Sequence, residues 1–239
     1  MRAAVWRRLD AVFQPGDRVL ELNCGTGEDA IQLAKRGVRV VATDASLGML
    51  AMTCAKVERA GLAALVEVAH MPIEDLAKRR HVGRFDGVLS NFGGFNCVED
   101  LPGAAQRLAV LLRPGARALL CVMGPTVPWE WAWYLAHGQP GRAVRRLRRG
   151  GAPWRGLTIR YPSIGDVRRA FVPYFVQRRV SAIGALVPPT FAEPWASHHP
   201  RLLAALDSLE RRAETAWPLP WLGDHFLLEL ERVPDRIQP

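Results

Sequence analysis

Cysteine is scarce in this 239-residue chain. Cys24, Cys54, Cys97 and Cys121 are scattered, and no two share a spacing that suits a metal or a redox pair. A disulfide scaffold is therefore excluded, and the four read as small core residues of a reduced, intracellular protein. Long apolar runs are also missing. The start, Met1-Arg-Ala-Ala-Val-Trp-Arg-Arg-Leu-Asp10, has no stretch of signal-peptide length, and nothing later reaches membrane-spanning length. A soluble, cytoplasmic protein is the expectation.

Lysine is nearly absent. Only Lys35, Lys56 and Lys78 stand among 32 basic residues, which leaves 29 arginines and a net charge of +9. Such a bias can follow genome composition, so it is weak evidence for a nucleic-acid partner, which is not expected. Its distribution is more informative. From Pro125 to Ala170 nine arginines (Arg142, Arg145, Arg146, Arg148, Arg149, Arg155, Arg160, Arg168 and Arg169) face only Glu130 and Asp166, so this stretch carries 9 − 2 = +7. With 49% hydrophobic residues the chain has core enough for one domain spanning 1–239.

What is present organises around Val19-Leu-Glu-Leu-Asn-Cys-Gly-Thr-Gly-Glu-Asp-Ala30. Its pattern predicts a buried strand over Arg18–Leu22, a turn through Gly25 and Gly27, and a helix to Arg36 that Gly37 ends. Glycines at a strand–helix junction let a ligand approach backbone N–H groups, so a nucleotide-type cofactor is the first hypothesis. Gly25-x-Gly27-x-x-Ala30 fits a dinucleotide fingerprint, with Asp44 near the ribose-binding distance. A pyrophosphate there would oppose Glu21, Glu28 and Asp29, whereas a cationic cofactor would be attracted.

An acid, a small turn, Gly-x-Gly and an acid ending the next strand, Arg39–Asp44, resemble motif I and the motif after it in class I S-adenosylmethionine-dependent methyltransferases. The resemblance implies a Rossmann-like, doubly wound α/β sheet of about seven strands, mostly parallel with an antiparallel last strand. S-adenosylmethionine is the implied cofactor. Glu21, Asn23, Gly25, Thr26, Gly27 and Asp29 would then border it, with Asp44 on the ribose hydroxyls and Ala45 beside it. Asn23 replaces the family's usual first glycine and tolerates unusual backbone angles better than most residues.

Further segments agree with that reading. A helix over Ala3–Val12 carries Val5, Trp6, Leu9 and Phe13 on one face; in this family such a helix commonly lies over the cofactor mouth, and simple packing on the sheet fits the spacing equally. Ser46 suits the cap of a helix over Leu47–Ala60, with Met49 in the region that packs on adenine. After a strand at Ala64–Ala69 come Ile73, Glu74 and Asp75, the candidates for adenine contacts. Phe85-Asp-Gly-Val-Leu-Ser-Asn-Phe-Gly-Gly-Phe-Asn96 resembles motif IV, which implies Ser90 and Asn91 at the amino-acid end of the cofactor and Phe92 and Phe95 as walls of the substrate cavity. It lacks the Asn/Asp-Pro-Pro-Tyr/Phe tetrapeptide of many amino-methylating enzymes for bases, which argues against that substrate.

A helix at Leu101–Leu112 and a strand at Ala116–Met123 follow. A helix at Ser163–Tyr174 and strands at Val176–Leu186 and Asp224–Arg232 close the pattern. The resemblance covers residues 1 to about 124 and, more loosely, the last strands.

Two insertions remain. The segment 124–161, a helical lid after the fifth strand, puts Trp129 and Trp133 on one helical face near His137, as candidate substrate-pocket residues, and then an arginine helix over Arg142–Arg149 with Val144 and Leu147 as its apolar edge. A ring-bearing or an acidic acceptor, an anionic membrane surface touched through 128–149, and an ordinary solvated basic face are the open readings. The segment 188–223 holds His198 and His199, which point apart and have no third ligand at usable spacing, so no metal is expected. The function expected is methyl transfer, O- or N-, to a small-molecule or lipid-like acceptor. Methylation of RNA or protein through the basic lid, or cofactor binding without catalysis, are the alternatives. The oligomeric state is left open by the sequence.

Overall fold

Apolar runs of five to six residues, ended by glycine or by a polar residue, suit strands covered on both faces. In a computed structural model that describes residues 1–79, 84–148, 150–154, 156–189, 192 and 198–234, with backbone alone at 77–79, these runs become β1 (Arg18–Leu22), β2 (Arg39–Asp44), β3 (Val66–His70), β4 (Phe85–Ser90) and β5 (Leu112–Met123). They pair in parallel in the order β3-β2-β1-β4-β5. The short β6 (Ala152–Trp154) and β7 (Leu157–Ile159) form a separate hairpin. The main sheet ends in β8 (Phe175–Ile183) and β9 (His225–Arg232); β9 runs antiparallel between β5 and β8, as the resemblance implied.

Helices cover both faces. The helices α1 (Arg2–Val12), α2 (Glu28–Ala34) and α3 (Leu47–Arg59) lie on one, and α4 (Leu101–Leu111) with α7 (Ile164–Phe171) on the other. Alternation along β1 divides its side chains between them: Leu20 and Leu22 join the α4–α7 core, while Val19 joins the core under α1–α3. Glu21 therefore shares the α1–α3 side. The helix α7 starts at a capping box, Ser163 with Asp166, as the Ser-x-x-acid spacing suggests. The order reverses between β1 and β4, and open α/β sheets place their ligand crevice outside the carboxyl ends at that point.

The lid departs from expectation. Instead of one arginine helix, α5 (Pro128–Ala136) is followed by a single turn, α6 (Pro140–Ala143), a 3-10 turn Arg145–Leu147 and the β6–β7 hairpin. The helix stops because Arg146 turns inward to buried acids, which an uninterrupted solvated helix would not allow. Arg149 and Arg155 lie outside the described residues. In the second insertion the described elements are α8 (Pro200–Ala213) and α9 (Leu219–Leu222), and Glu210 of α8 accepts backbone N–H groups from Gly184, Leu186 and Val187. Among the described residues no helix is long and apolar enough to cross a membrane. One cysteine, Cys54, is exposed, against the expectation of a core position; Cys24 and Cys121 are buried, and burial first of all pushes both thiols up to about 12, so neither is a nucleophile at neutral pH.

Candidate functional site

The loop between β1 and α2 turns sharply. Asn23, Gly25 and Gly27 all take positive φ, at 54°, 56° and 78°. Asparagine tolerates that region, which explains how it replaces a glycine at position 23. Gly27 has a second reason: a Cβ there would lie 2.6 Å from Thr53 Cγ2. Thr53, on α3, donates its hydroxyl to Gly25 O at 2.9 Å and so props the loop from below. From the end of β2, Asp44 takes Gly25 N–H on Oδ2 at 2.9 Å and Ser46 N–H on Oδ1 at 2.8 Å. Each oxygen keeps a further lone pair.

Three buried polar atoms at the adjoining ends of β1 and β4 have no hydrogen-bond partner among the described residues: Glu21 Oε2, Asn23 Oδ1 and Ser90 Oγ. Gly94 makes room for the last two. A Cβ on Gly94 would sit 2.7 Å from both Asn23 Oδ1 and Ser90 Oγ. Orphaned buried groups are costly, so three at these strand ends mark a place where a polar ligand completes the structure. Burial raises the Glu21 carboxyl well above the ordinary range, the charge of Asp29 adds to that, and the Arg2 guanidinium opposes it. A ligand bearing positive charge would restore the carboxylate. The donor set thus fits a cationic, hydroxyl-bearing cofactor and disfavours a pyrophosphate.

Asp29 has another task. Its buried carboxylate accepts from Arg2 Nη1 at 2.8 Å, Trp6 Nε1 at 2.6 Å and Asn91 Nδ2 at 2.9 Å. It therefore ties α1 and the β4 tip to the cofactor loop, and its oxygens are held by protein. The expected helix over Ala3–Val12 packs on the sheet through Val5, Leu9 and Phe13, and Arg2 and Trp6 reach Asp29 at the start of α2. At the β4 tip Asn91 Oδ1 turns back to accept Phe92 N–H, and Phe92 is in the left-handed region with φ 43°. Its ring is capped by Arg2 at 5.0 Å and meets His225 edge-on at 5.2 Å.

Other expected residues are placed differently. Phe95 is no cavity wall. The 3-10 turn Gly94–Cys97 rotates it into the core, 1% exposed, against Phe171 at 5.9 Å. Met49 stands 42% exposed at the start of α3, where Ser46 Oγ accepts its N–H. Ile73 is buried, Glu74 exposed and Asp75 half-buried in a 3-10 turn, so the two acids and the Ile73 backbone, but not its side chain, remain for an adenine. Thr26 and Ala45 are loop residues at the crevice, half-buried and exposed. Trp133 and His137 stack on each other at 4.4 Å, and Trp129 is half-buried one turn earlier on α5.

The lid is fastened by charges that sequence reasoning missed. Glu130, 1% exposed, takes Arg145 Nε at 2.7 Å and Arg146 Nε at 2.8 Å. Arg146 in turn bonds Gly124 O, Asp224 O and the Asp224 carboxylate, which also pairs with His225 at 3.0 Å. His225 touches Phe92. Lid, last strand and β4 tip are thereby one connected unit at the rim of the crevice. Only the local excess of arginine hinted at it. Among the described residues no group of three or more His, Cys, Asp or Glu is placed to hold a metal.

Residues 19–115 match the family model described as "Methyltransferase domain". Residues 19–115 are therefore a methyltransferase domain, and its sheet has the order expected of the class I S-adenosylmethionine-dependent kind. The matched part of this methyltransferase domain runs from β1 into β5 and includes every residue of the loop, Asp44, Ser90 and Asn91. It ends before the lid. Curated relatives include demethylmenaquinone methyltransferases of Beutenbergia cavernae, 38% identical over 129 residues, and Mycobacterium marinum, 37% identical over 119. These matches cover 52% and 48% of the chain; the chain spans about half the length of the curated relatives it matches, 49% and 47%. Among solved structures, an S-adenosylmethionine dependent methyltransferase from Mesorhizobium loti is similar with TM-score 0.60 at 20% identity, over 96% of this chain and 98% of that one. The [4+2]-cyclase SpnF aligns with TM-score 0.62 at 17% identity, over 97% and 82%. At such identities the likeness shows the fold of the methyltransferase domain alone, and a cyclase among the neighbours illustrates that the fold does not set the reaction.

Proposed function

We propose that the protein uses S-adenosylmethionine to methylate a small-molecule or lipid-like acceptor. The observation that carries the cofactor is the trio of orphaned polar atoms at Glu21, Asn23 and Ser90, beside an Asp44 carboxylate at the end of β2. When bound, S-adenosylmethionine supplies a methyl carbon already activated by its sulfonium. The chain has to align and to exclude water. Asp44 would hold the ribose, Glu21 and Ser90 the amino-acid end, and Phe92, fixed between Arg2 and His225, an edge of the acceptor space. Because the curated relatives are named for demethylmenaquinone, a prenylated quinone is the first acceptor to assay. Isothermal calorimetry tests the cofactor: S-adenosylhomocysteine binds with micromolar affinity and NAD at least about a hundredfold more weakly, the difference set by opposing carboxylates. NAD binding without S-adenosylhomocysteine binding would overturn the reading.

A membrane-facing lid is the second element of the proposal. Leu147 and Leu157 are 53% and 51% exposed, Trp154 of the same hairpin region 56%, and Arg142 and Arg148 are exposed beside them. Apolar tips among arginines suit an anionic bilayer surface, at the cytoplasmic leaflet, from which a lipid-like acceptor would be drawn. Co-sedimentation with phosphatidylcholine vesicles is expected to rise several-fold when phosphatidylglycerol is added. The pair Leu147→Asp with Leu157→Asp lowers it by about fivefold, in line with the loss of buried apolar area. Equal binding to neutral and anionic vesicles counts against it.

A further inference from the structure

We propose that Arg2 binds the α-carboxylate of the cofactor's amino-acid moiety, an assignment that rests on the cofactor reading above. The amino-acid end of the crevice is acidic. Glu21 and Asp29 lie together on the α1–α3 side, Asp44 acts on Glu21 from β2, and Glu28 is engaged by Lys56. This field suits an ammonium and repels the carboxylate carried on the same carbon, so a cation has to stand within reach of Glu21.

Arg2 is placed to be that cation. Its charge acts on Glu21, on Glu28 and on Cys121, which brackets the loop and the end of β5. Only its Nη1 is engaged by Asp29, at 2.8 Å, and the guanidinium is stacked over Phe92. The side chain remains 41% exposed. A guanidinium has five donors in a planar fork, so one edge can stay on Asp29 while another receives a carboxylate. Asn91, the third partner of Asp29, stands at the tip of β4, which puts Arg2 at that end of the crevice.

The position of α1 does not depend on this arginine. Trp6 also bonds Asp29, Arg8 forms a two-point pair with Glu229 of β9 at 2.6 and 3.0 Å, and Val5, Leu9 and Phe13 are fully buried. Removing Arg2 therefore removes a charge and leaves a docked helix.

Calorimetry on the full chain separates the roles. S-adenosylhomocysteine is compared with its decarboxylated analogue, which keeps the ammonium and lacks only the carboxylate. Arg2→Ala is expected to weaken S-adenosylhomocysteine by about tenfold or more, the scale of a lost charge-assisted hydrogen bond, and to change the analogue less than about twofold. Arg2→Lys recovers part of the loss. Equal weakening of both ligands would show a structural role, and unchanged binding of S-adenosylhomocysteine would show no contact; either overturns the assignment. A wild-type chain that binds neither ligand overturns the cofactor reading itself, and this assignment with it.

Discussion

Replacing Arg146 with alanine destabilises the fold by about 3 kcal/mol, measured by chemical denaturation at neutral pH. The guanidinium is 5% exposed and serves Glu130, 1% exposed, and Asp224, 9% exposed. Breaking a buried pair strands charges that burial has already desolvated, at about 3–5 kcal/mol. Here each acid keeps a second partner, Arg145 for Glu130 and His225 for Asp224, so the lower end applies. Arg146→Lys recovers less than half, because an ammonium cannot send one fork to Glu130 and the other to Gly124 O and Asp224. A loss below about 1 kcal/mol would mean that the network is a surface-like arrangement.

The acid limb of stability follows from the same group. Burial works against the Asp224 charge, yet His225 and Arg146 more than offset it and hold the carboxyl at about 2, below its ordinary 3.8. A depressed folded value means that the contribution is present above the unfolded value and lost as pH falls through about 2. In Arg146→Ala the folded value rises and acid unfolding begins at higher pH.

Asp44→Ala weakens S-adenosylhomocysteine binding by about 1.5–3 kcal/mol, or roughly 10–150-fold in Kd. Two losses add. The hydroxyl acceptors disappear, and Gly25 N–H, which the carboxylate holds at 2.9 Å, is released in a loop whose three left-handed residues need fixing. Asp44→Asn keeps an oxygen for one of the two backbone donors and falls between wild type and alanine. Calorimetry on both variants checks the order, and unchanged affinity in Asp44→Ala removes this residue from the site.

Legibility in the sequence tracked the range of the interactions. The strands β1, β2, β4 and β5, the Gly25–Gly27 turn and Asp44 follow from local patterns of apolar residues and glycine, because each is decided within about ten residues of chain. Trp6 with Asp29 and Arg146 with Asp224 are 23 and 78 residues apart, and no periodicity encodes such pairings. Arg146 sits between Val144 and Leu147, so a helical projection places it on a solvated edge; it is turned inward by acids from α5 and the approach to β9. Phe95 misled for a related reason. The resemblance to motif IV implied a cavity wall, whereas the direction of the side chain was set by a 3-10 turn and by Phe171, which lies far along the chain.

The place of β9 has a consequence for how the chain is made. Because residues 225–232 lie between β5 and β8, the nascent protein leaving the ribosome has a finished parallel half whose β5 edge stays open until a further hundred residues or so have emerged. Leu119, Leu120, Cys121 and Val122, all fully buried in the folded molecule, border that edge. An open, apolar edge is a template for strands of other chains. A chain that stalls before β9 would therefore be association-prone, and β9 acts as the closure of that edge.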